Sequence, residues 1–389
     1  MNTTQRGIIT LLKSAVTEQA LPLPEGFDLQ KAYPVFERHH MSTLVYDGAV
    51  RCGIDRSLPV MQRLFQSYVR LMLISERQME QVKRIWTAFD EAEIDYMPLK
   101  GCVMKSRYPK PELRVMGDAD ILIRLEQYDR VIPIMEELGF TEKSETDHEL
   151  VWTHNDLYLE LHKRLIPSYN KDFHEYFGDS WALARVRKGS RWAMTAEDEL
   201  IYLFTHYAKH FRDGGIGCRH VADLWVYLRS VPEMDEAYVR RELEKFGLLR
   251  FYLHTRELIS VWFEDAPETN MSDFLTELVF NSGSFGKADQ RVISRAVRDK
   301  GHSILGINSR LLYLWQTAFP SADVLKDKYM VLKKAPWLLP AVWLVRPFYK
   351  LLFERDTLEE QERNLQALSE NQVAARRAVL REIGLDYNF

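Results

Sequence analysis

The sequence predicts an α+β protein in which a small mixed β-sheet is embedded between N-terminal helices and a larger C-terminal helical region. Changes of rhythm along the chain carry that reading. Apolar residues recur every three or four positions from Gln5 to about Glu93, the pattern of helices with one buried face. Between Ile94 and about Leu165, short segments alternate apolar and polar residues as strands do, and from Thr195 the helical spacing returns. A chain of 389 residues exceeds what one core usually supports. The expected regions are 1–93 (helical), 94–190 (the α/β core), 191–320 (helical) and 321–389, a Pro/Trp-rich connector with a charged helical tail.

Taken in order, helices are expected over 5–18, 28–50 and 58–93, the last with Leu64, Met72, Met79, Val82, Ile85 and Phe89 at helical spacing. Ile94 to Leu99 reads as a short strand entering a turn at Lys100-Gly101, and a short helix follows at 102–107. Tyr108 to Gly117 is a loop held open by Pro109 and Pro111. Asp118 to Arg124 (DADILIR) is a strand with Ala119, Ile121 and Ile123 on one face and Asp118, Asp120 and Leu122 on the other. A helix over 126–138 ends at Gly139. Leu150–His154 and Leu157–His162 flank Asn155-Asp156 as a hairpin, with Tyr158, Glu160 and His162 sharing a face. Beyond an N-cap at Thr195, helices are expected over 196–211, 219–229, 235–246, 250–264, 271–280 and 303–317. The charged stretch 356–383 reads as helical, broken near Asn371.

Composition narrows the function. Lys+Arg 52 against Asp+Glu 56 gives a net charge of −4, which speaks against a surface built for duplex nucleic acid. Cys52, Cys102 and Cys218 are widely separated and form no CxxC pair, so a disulfide framework or cysteine zinc site is not expected and a reducing cytoplasm is. The N-terminus lacks the apolar stretch of a signal peptide. The longest apolar run, Ala335–Val345 (APWLLPAVWLV), has 11 residues, short of the roughly 20 a spanning helix needs. Flanked by Lys333, Lys334 and Arg346, it reads either as a buried connector or as a patch that docks on a membrane surface or partner.

The chemistry is sought where polar residues alternate onto a sheet face. Asp118 and Asp120, two apart on a strand, project from one face with Cα atoms roughly 6.5–7 Å apart. Two carboxylates that close repel unless a cation lies between them, and their hard oxygens suit Mg²⁺ or Mn²⁺. The same spacing also describes a strand end showing two acids to water. Lys100-Gly101 at a strand-to-helix turn lets backbone approach a phosphate. Glu160, on a later strand, adds a third acid. A basic turn, a paired-acid strand and a neighbouring acid match two-metal phosphoryl or nucleotidyl transfer.

The stretches PLKG (98–101), YPKPELRVMGDADILI (108–123) and LELH (159–162) resemble the uncharacterised nucleotidyltransferase family of the polymerase-β superfamily. HYAKH (206–210) and RHVAD (219–223) resemble its helical region. The resemblance implies a minimal nucleotidyltransferase fold in which Asp118 and Asp120 bind the metals and Glu160 completes a catalytic triad of acids. It departs from the superfamily pattern at Cys102, where Ser or Gly is usual after the turn glycine, and in the sixteen residues between Gly101 and Asp118.

Around these acids, Arg114 in the Pro-rich loop is placed to clamp phosphate oxygens or to form a loop ion pair. His162 shares the Glu160 face, to orient the acid, touch nucleotide or serve structure. His206 and His210 have the spacing of a zinc HExxH motif, but Tyr207 stands where its glutamate base would be. His206, Lys209, Arg212 and Arg219 form either a phosphate- or substrate-facing cluster or a structural one, in which Arg219 pairs with Asp223. The expectation is an NTP- and Mg-dependent (or Mn-dependent) nucleotidyltransferase with Lys100, Gly101, Arg114, His162, His206, Lys209 and Arg219 on the nucleotide, ATP among the donors. Its acceptor, a small molecule, a protein or an RNA end, is not readable. The alternatives are a catalytically silent nucleotide- or partner-binding module on the same fold, which Cys102 favours, and a metal-dependent phosphoesterase.

Overall fold

In the computed structural model, the helical spacing before Ile94 forms four helices: α1 (Thr3–Thr17), α2 (Leu29–Arg38), α3 (Ser42–Arg51) and α4 (Pro59–Glu91). The structure describes every residue except 147, 169, 284–287, 302–308, 321–324, 326–328, 330, 354–368 and 387–389. Asn2 starts α1 with a reciprocal cap, its side chain accepting from Gln5 N while Gln5 Oε1 accepts from Asn2 N. The stretch expected as one helix over 28–50 is two, because the backbone turns through His40 at φ +48°. α1 and α3 meet closely at Gly48, where a Cβ would stand 2.0 Å from Leu11 O.

Two compact units divide the chain. Met1–Phe211 and Gly215–Phe285 make the first, Arg212–Gly214 and Gly286–Tyr387 the second. In the first, β1 (Tyr96–Leu99), α5 (Gly101–Met104), β2 (Asp118–Ile123) and α6 (Tyr128–Glu137) precede β3 (Thr141–Glu145), β4 (Glu149–His154) and β5 (Leu157–His162). Then come α7 (Lys171–Phe177), β6 (Val186–Lys188) and β7 (Arg191–Ala193). The described strands form one mixed seven-stranded sheet in the order β3-β4-β5-β2-β1-β7-β6. β2 lies parallel to β5 and antiparallel to β1. The β4–β5 hairpin turns at Asn155, whose φ of +50° an asparagine tolerates.

One face of the sheet carries Ala119, Ile121, Ile123, Leu157, Leu159 and Leu161, all fully buried with Val82, Ile85 and Phe89 of α4 and Met135 of α6. At roughly 1.5–3 kcal/mol for each large side chain withdrawn from water, that layer anchors the sheet. β3, β6 and β7 were not expected. Thr141–Glu145 (TEKSE) is exposed throughout and has no apolar alternation; its backbone pairing with β4 makes it a strand. β6 and β7 are three residues each around Gly189, at φ +63°.

Behind the sheet in sequence stand α8 (Ala196–Asp213), α9 (Cys218–Ser230), α10 (Glu236–Lys245), α11 (Leu249–Phe263) and α12 (Asn270–Ser282). Phe204 and Tyr207 of α8 meet Phe251 of α11 with ring centroids 5.6 and 5.7 Å apart.

The second unit contains α13 (Ala288–Gly301), α14 (Ser309–Ala318), α15 (Val331–Lys334), α16 (Leu339–Phe353) and α17 (Glu370–Ile383). Arg376 of α17 donates Nε to Ser294 Oγ of α13 at 3.2 Å. Of the helix expected over 303–317, residues 303–308 lie outside the described residues, as do 356–368 of the charged tail. α17 begins just beyond Ser369, whose side chain accepts from Gln372 N. No helix among the described residues is long and apolar enough to cross a membrane.

Candidate active site

The turn after β1 sets one edge of the site. Lys100 adopts φ +44° and ψ −113°, a conformation that costs a residue with a side chain about 1–3 kcal/mol. A Cβ on the next residue, Gly101, would stand 3.0 Å from Met116 Cγ. The turn carries the Lys100 ammonium over β2, where Nζ donates to Asp120 Oδ1 at 2.7 Å. Cys102 is buried inside α5, and burial pushes its thiol up to about 12, so it presents no ionised group to the site.

Register brings the acids together. In the parallel pairing of β2 with β5, Asp118 lies opposite Tyr158 and Asp120 opposite Glu160. Asp120 is 2% exposed. Burial alone would lift its carboxyl, but Lys100 and the His162 ring outweigh that and hold it well below the usual carboxylate range. Asp118 is open to solvent, and the Asp120 charge, with the crowding of the cavity floor and Glu160 adding, pushes it up to about 6.

His162 is fully buried beneath the acids. Its Nε2 lies 2.8 Å from Asp120 Oδ1 and 3.4 Å from Glu160 Oε2. On the other side Nδ1 is 3.3 Å from His148 Nε2, and His148 Nδ1 is 2.8 Å from Glu149 Oε2. Glu149, His148, His162 and Asp120 thus form a line of three hydrogen bonds between two carboxylates. A ring proton in each of the three bonds would place three protons on two rings and leave one imidazole charged. Burial and Lys100 push His162 down, but Asp120 and Glu160 outweigh them and leave it above the usual histidine value, whereas burial lowers His148. Among the described residues, Asp120, Glu160 and His162 bring a ligand atom each within 4.8 Å of one another, as do His148, Glu149 and His162.

The Pro-rich loop is pinned from below. Buried Lys105 donates Nζ to Pro111 O at 2.9 Å, to Arg114 O at 3.0 Å and to Ser75 Oγ, and burial pushes its ammonium down to about 8. That fixes Arg114, whose Nε donates to Asp223 Oδ1 at 2.8 Å, the same oxygen that accepts from Tyr108 OH at 2.7 Å. Asp223 is therefore engaged by the loop, and Arg219 donates Nη1 to Val115 O at 3.3 Å. Burial, with Arg114 nearby, pushes Arg219 down to about 10.

These pieces enclose a cavity of about 580 Å³. Lys100, Gly101, Arg114, Asp118, Asp120, Glu160, His206, Lys209 and Arg219 all line it. His162 is not among the lining residues; it sits behind the acids, with Nε2 toward Asp120 and Glu160. His206 and His210 meet edge to face with ring centroids 4.3 Å apart, and burial holds both rings well below the usual histidine range. His148, His220 and the Lys105 peg were missing from the sequence reading. Glu149 was findable: a two-residue turn at 155–156 places residue 149 opposite 162.

The model of the uncharacterised nucleotidyltransferase family matches residues 25–264, more than half of the chain. No curated protein matches it. Among solved structures, it is similar to one described as the solution structure of the antibiotic-resistance factor ANT(2'')-Ia. The two are 18% identical over 47% of this chain and 94% of that one, with a TM-score of 0.32.

Proposed function

The chain belongs to the uncharacterised nucleotidyltransferase family, and from that premise we propose that it moves a nucleoside monophosphate from an NTP to an acceptor hydroxyl or phosphate, releasing pyrophosphate. One observation carries the reading: Asp120 and Glu160 face each other across parallel strands, with Asp118 one pleat along, on the floor of a cavity walled by Arg114, Lys209 and Arg219. Acids below and cations above are the arrangement a triphosphate needs.

The donor set fits Mg²⁺ or Mn²⁺. Carboxylate oxygens are hard donors, and the raised Asp118 marks negative charge that its surroundings do not fully offset. Asp118, Asp120 and Glu160 would hold the ion, which supplies Lewis-acid polarisation of a phosphoryl oxygen when bound. Arg114, held by Asp223, is pre-oriented for phosphate oxygens and offsets the charge that grows on the departing pyrophosphate. Arg219 and Lys209 hold the phosphates from the helical wall. His162 keeps the Asp120 carboxylate aimed at the cavity. The acceptor oxygen bonds to the α-phosphorus as the bond to pyrophosphate breaks. The acceptor proton passes to an acid of the floor, and Glu160, across from Asp120, suits that task.

The Lys100–Asp120 ion pair and Cys102 favour a second reading, a module that binds nucleotide without turnover. The experiment separates them. Thermal unfolding is followed with Mg²⁺ and a non-hydrolysable NTP, and pyrophosphate release is followed with NTP and a panel of acceptors. The first reading expects a stabilising shift and release, both lost in the double variant Asp118→Asn, Asp120→Asn, whereas Glu160→Gln keeps nucleotide binding and loses turnover. A shift without release supports the second reading. A full shift in the double variant overturns the proposed site.

A further inference from the structure

The apolar run Ala335–Val345 takes no part in the site. It lies in the second unit, where α16 turns one side inward: Val342 is 8% exposed and gathers with Leu325 and Leu332. The outward side of a helix in water normally carries polar residues. Here it carries Pro340, Leu344 and Val345, continuing from Trp337 in the turn before the helix. Trp337 is 77% exposed, Leu344 74% and Val345 60%. Trp315 of α14, 64% exposed, extends the surface, as does Phe319 just beyond that helix, its ring centroid 5.3 Å from that of Trp343. Arg346 Nη1 donates to Thr317 O at 2.6 Å and ties the two helices together.

Charge selects what covers this face. Residues 331–353 include Lys333, Lys334, Arg346 and Lys350 and no acid, within a chain whose net charge is −4. We infer that the outward face of α16, with the exposed rings of Trp315 and Phe319, docks on an anionic lipid surface. α16 has 15 residues, about 22 Å of helix against a hydrocarbon core of about 30 Å, so it lies along the interface and does not span it. Exposed tryptophans settle at headgroup level, aliphatic side chains enter the acyl boundary, and a basic stretch of sequence is drawn to anionic headgroups.

Flotation of the full chain with vesicles tests this. Vesicles of phosphatidylcholine alone are compared with phosphatidylcholine mixed with phosphatidylserine, at low and raised salt. The expected result is binding to the mixed vesicles, weakened by salt, and little to the neutral ones. Trp337→Ala with Leu344→Ser should lower the partition coefficient about 100-fold, with circular dichroism unchanged. Lys333→Glu with Lys334→Glu should lower it about 30-fold or more. Should the apolar double variant fail to fold, Trp337→Ala alone, at a side chain already in water, carries the test. Absence of binding to mixed vesicles, equal binding to neutral ones, or full binding by the variants overturns the inference. So does a concentration-dependent dimer that Trp337→Ala dissolves in a chain that ignores lipid.

Discussion

Replacing Asp118 by Asn should stabilise the metal-free protein while destroying its proposed activity. The Asp120 charge beside Asp118 lifts its carboxyl from 3.8 to about 6. At 1.36 kcal/mol per pH unit, that corresponds to roughly 3 kcal/mol of penalty on the ionised folded state. Asp118 is exposed, so solvent screening reduces the expected gain to about 1–1.5 kcal/mol. The sign follows from linkage. A carboxyl raised on folding contributes stability that is fully present below its unfolded value of 3.8 and is lost as pH rises through about 6. The Asn variant has no proton to lose there. Its advantage over the parent should therefore be small near pH 4, grow to about pH 6 and stay flat above pH 7. Urea unfolding followed by tryptophan fluorescence, in chelator, at pH values across that window, measures the difference directly; in thermal scans it amounts to a few degrees. Adding Mg²⁺ should reverse the order, because the parent gains a ligand that the variant binds weakly. An Asn variant equal to or less stable than its parent at pH 7 in chelator would refute the idea that the two acids repel and await a cation.

Two further outcomes follow from the helical wall and the helix packing. Lys209→Ala and Arg219→Ala should each weaken nucleotide binding by about 10-fold to 150-fold in isothermal titration, since a charge-assisted contact to phosphate is worth about 1.5–3 kcal/mol; unchanged affinity in both would make the wall a scaffold. Gly48→Ala should lower stability by at least about 2 kcal/mol, because its Cβ would stand 2.0 Å from the backbone oxygen of Leu11 and helix backbones cannot yield as a side chain can; a change below about 0.5 kcal/mol in urea unfolding would contradict the packing.

The acids could be read from the chain because strand alternation is a local property. Two residues along β2 always return to the same face, so Asp118 and Asp120 had to project together, and the hairpin turn at Asn155-Asp156 set the face of Glu160. The helices were legible for the same reason, since a buried stripe repeats within a few residues of itself. What the tertiary structure decided lies between distant positions. Lys100 reaches Asp120 across 20 residues, Lys105 meets Ser75 across 30, and Arg114 finds Asp223 across 109. Nothing near Asp223 in the sequence distinguishes a partner for Arg114 from one for Arg219. His162 could be assigned to a face but not to a depth, and only the fold shows it fully buried against Asp120. β3 escaped altogether because backbone hydrogen bonds to β4 make it a strand, and a backbone donor or acceptor leaves no trace in side-chain pattern. Periodicity is written residue by residue, whereas ion pairs, pegs and edge strands exist only once folding has brought remote groups within about 3 Å.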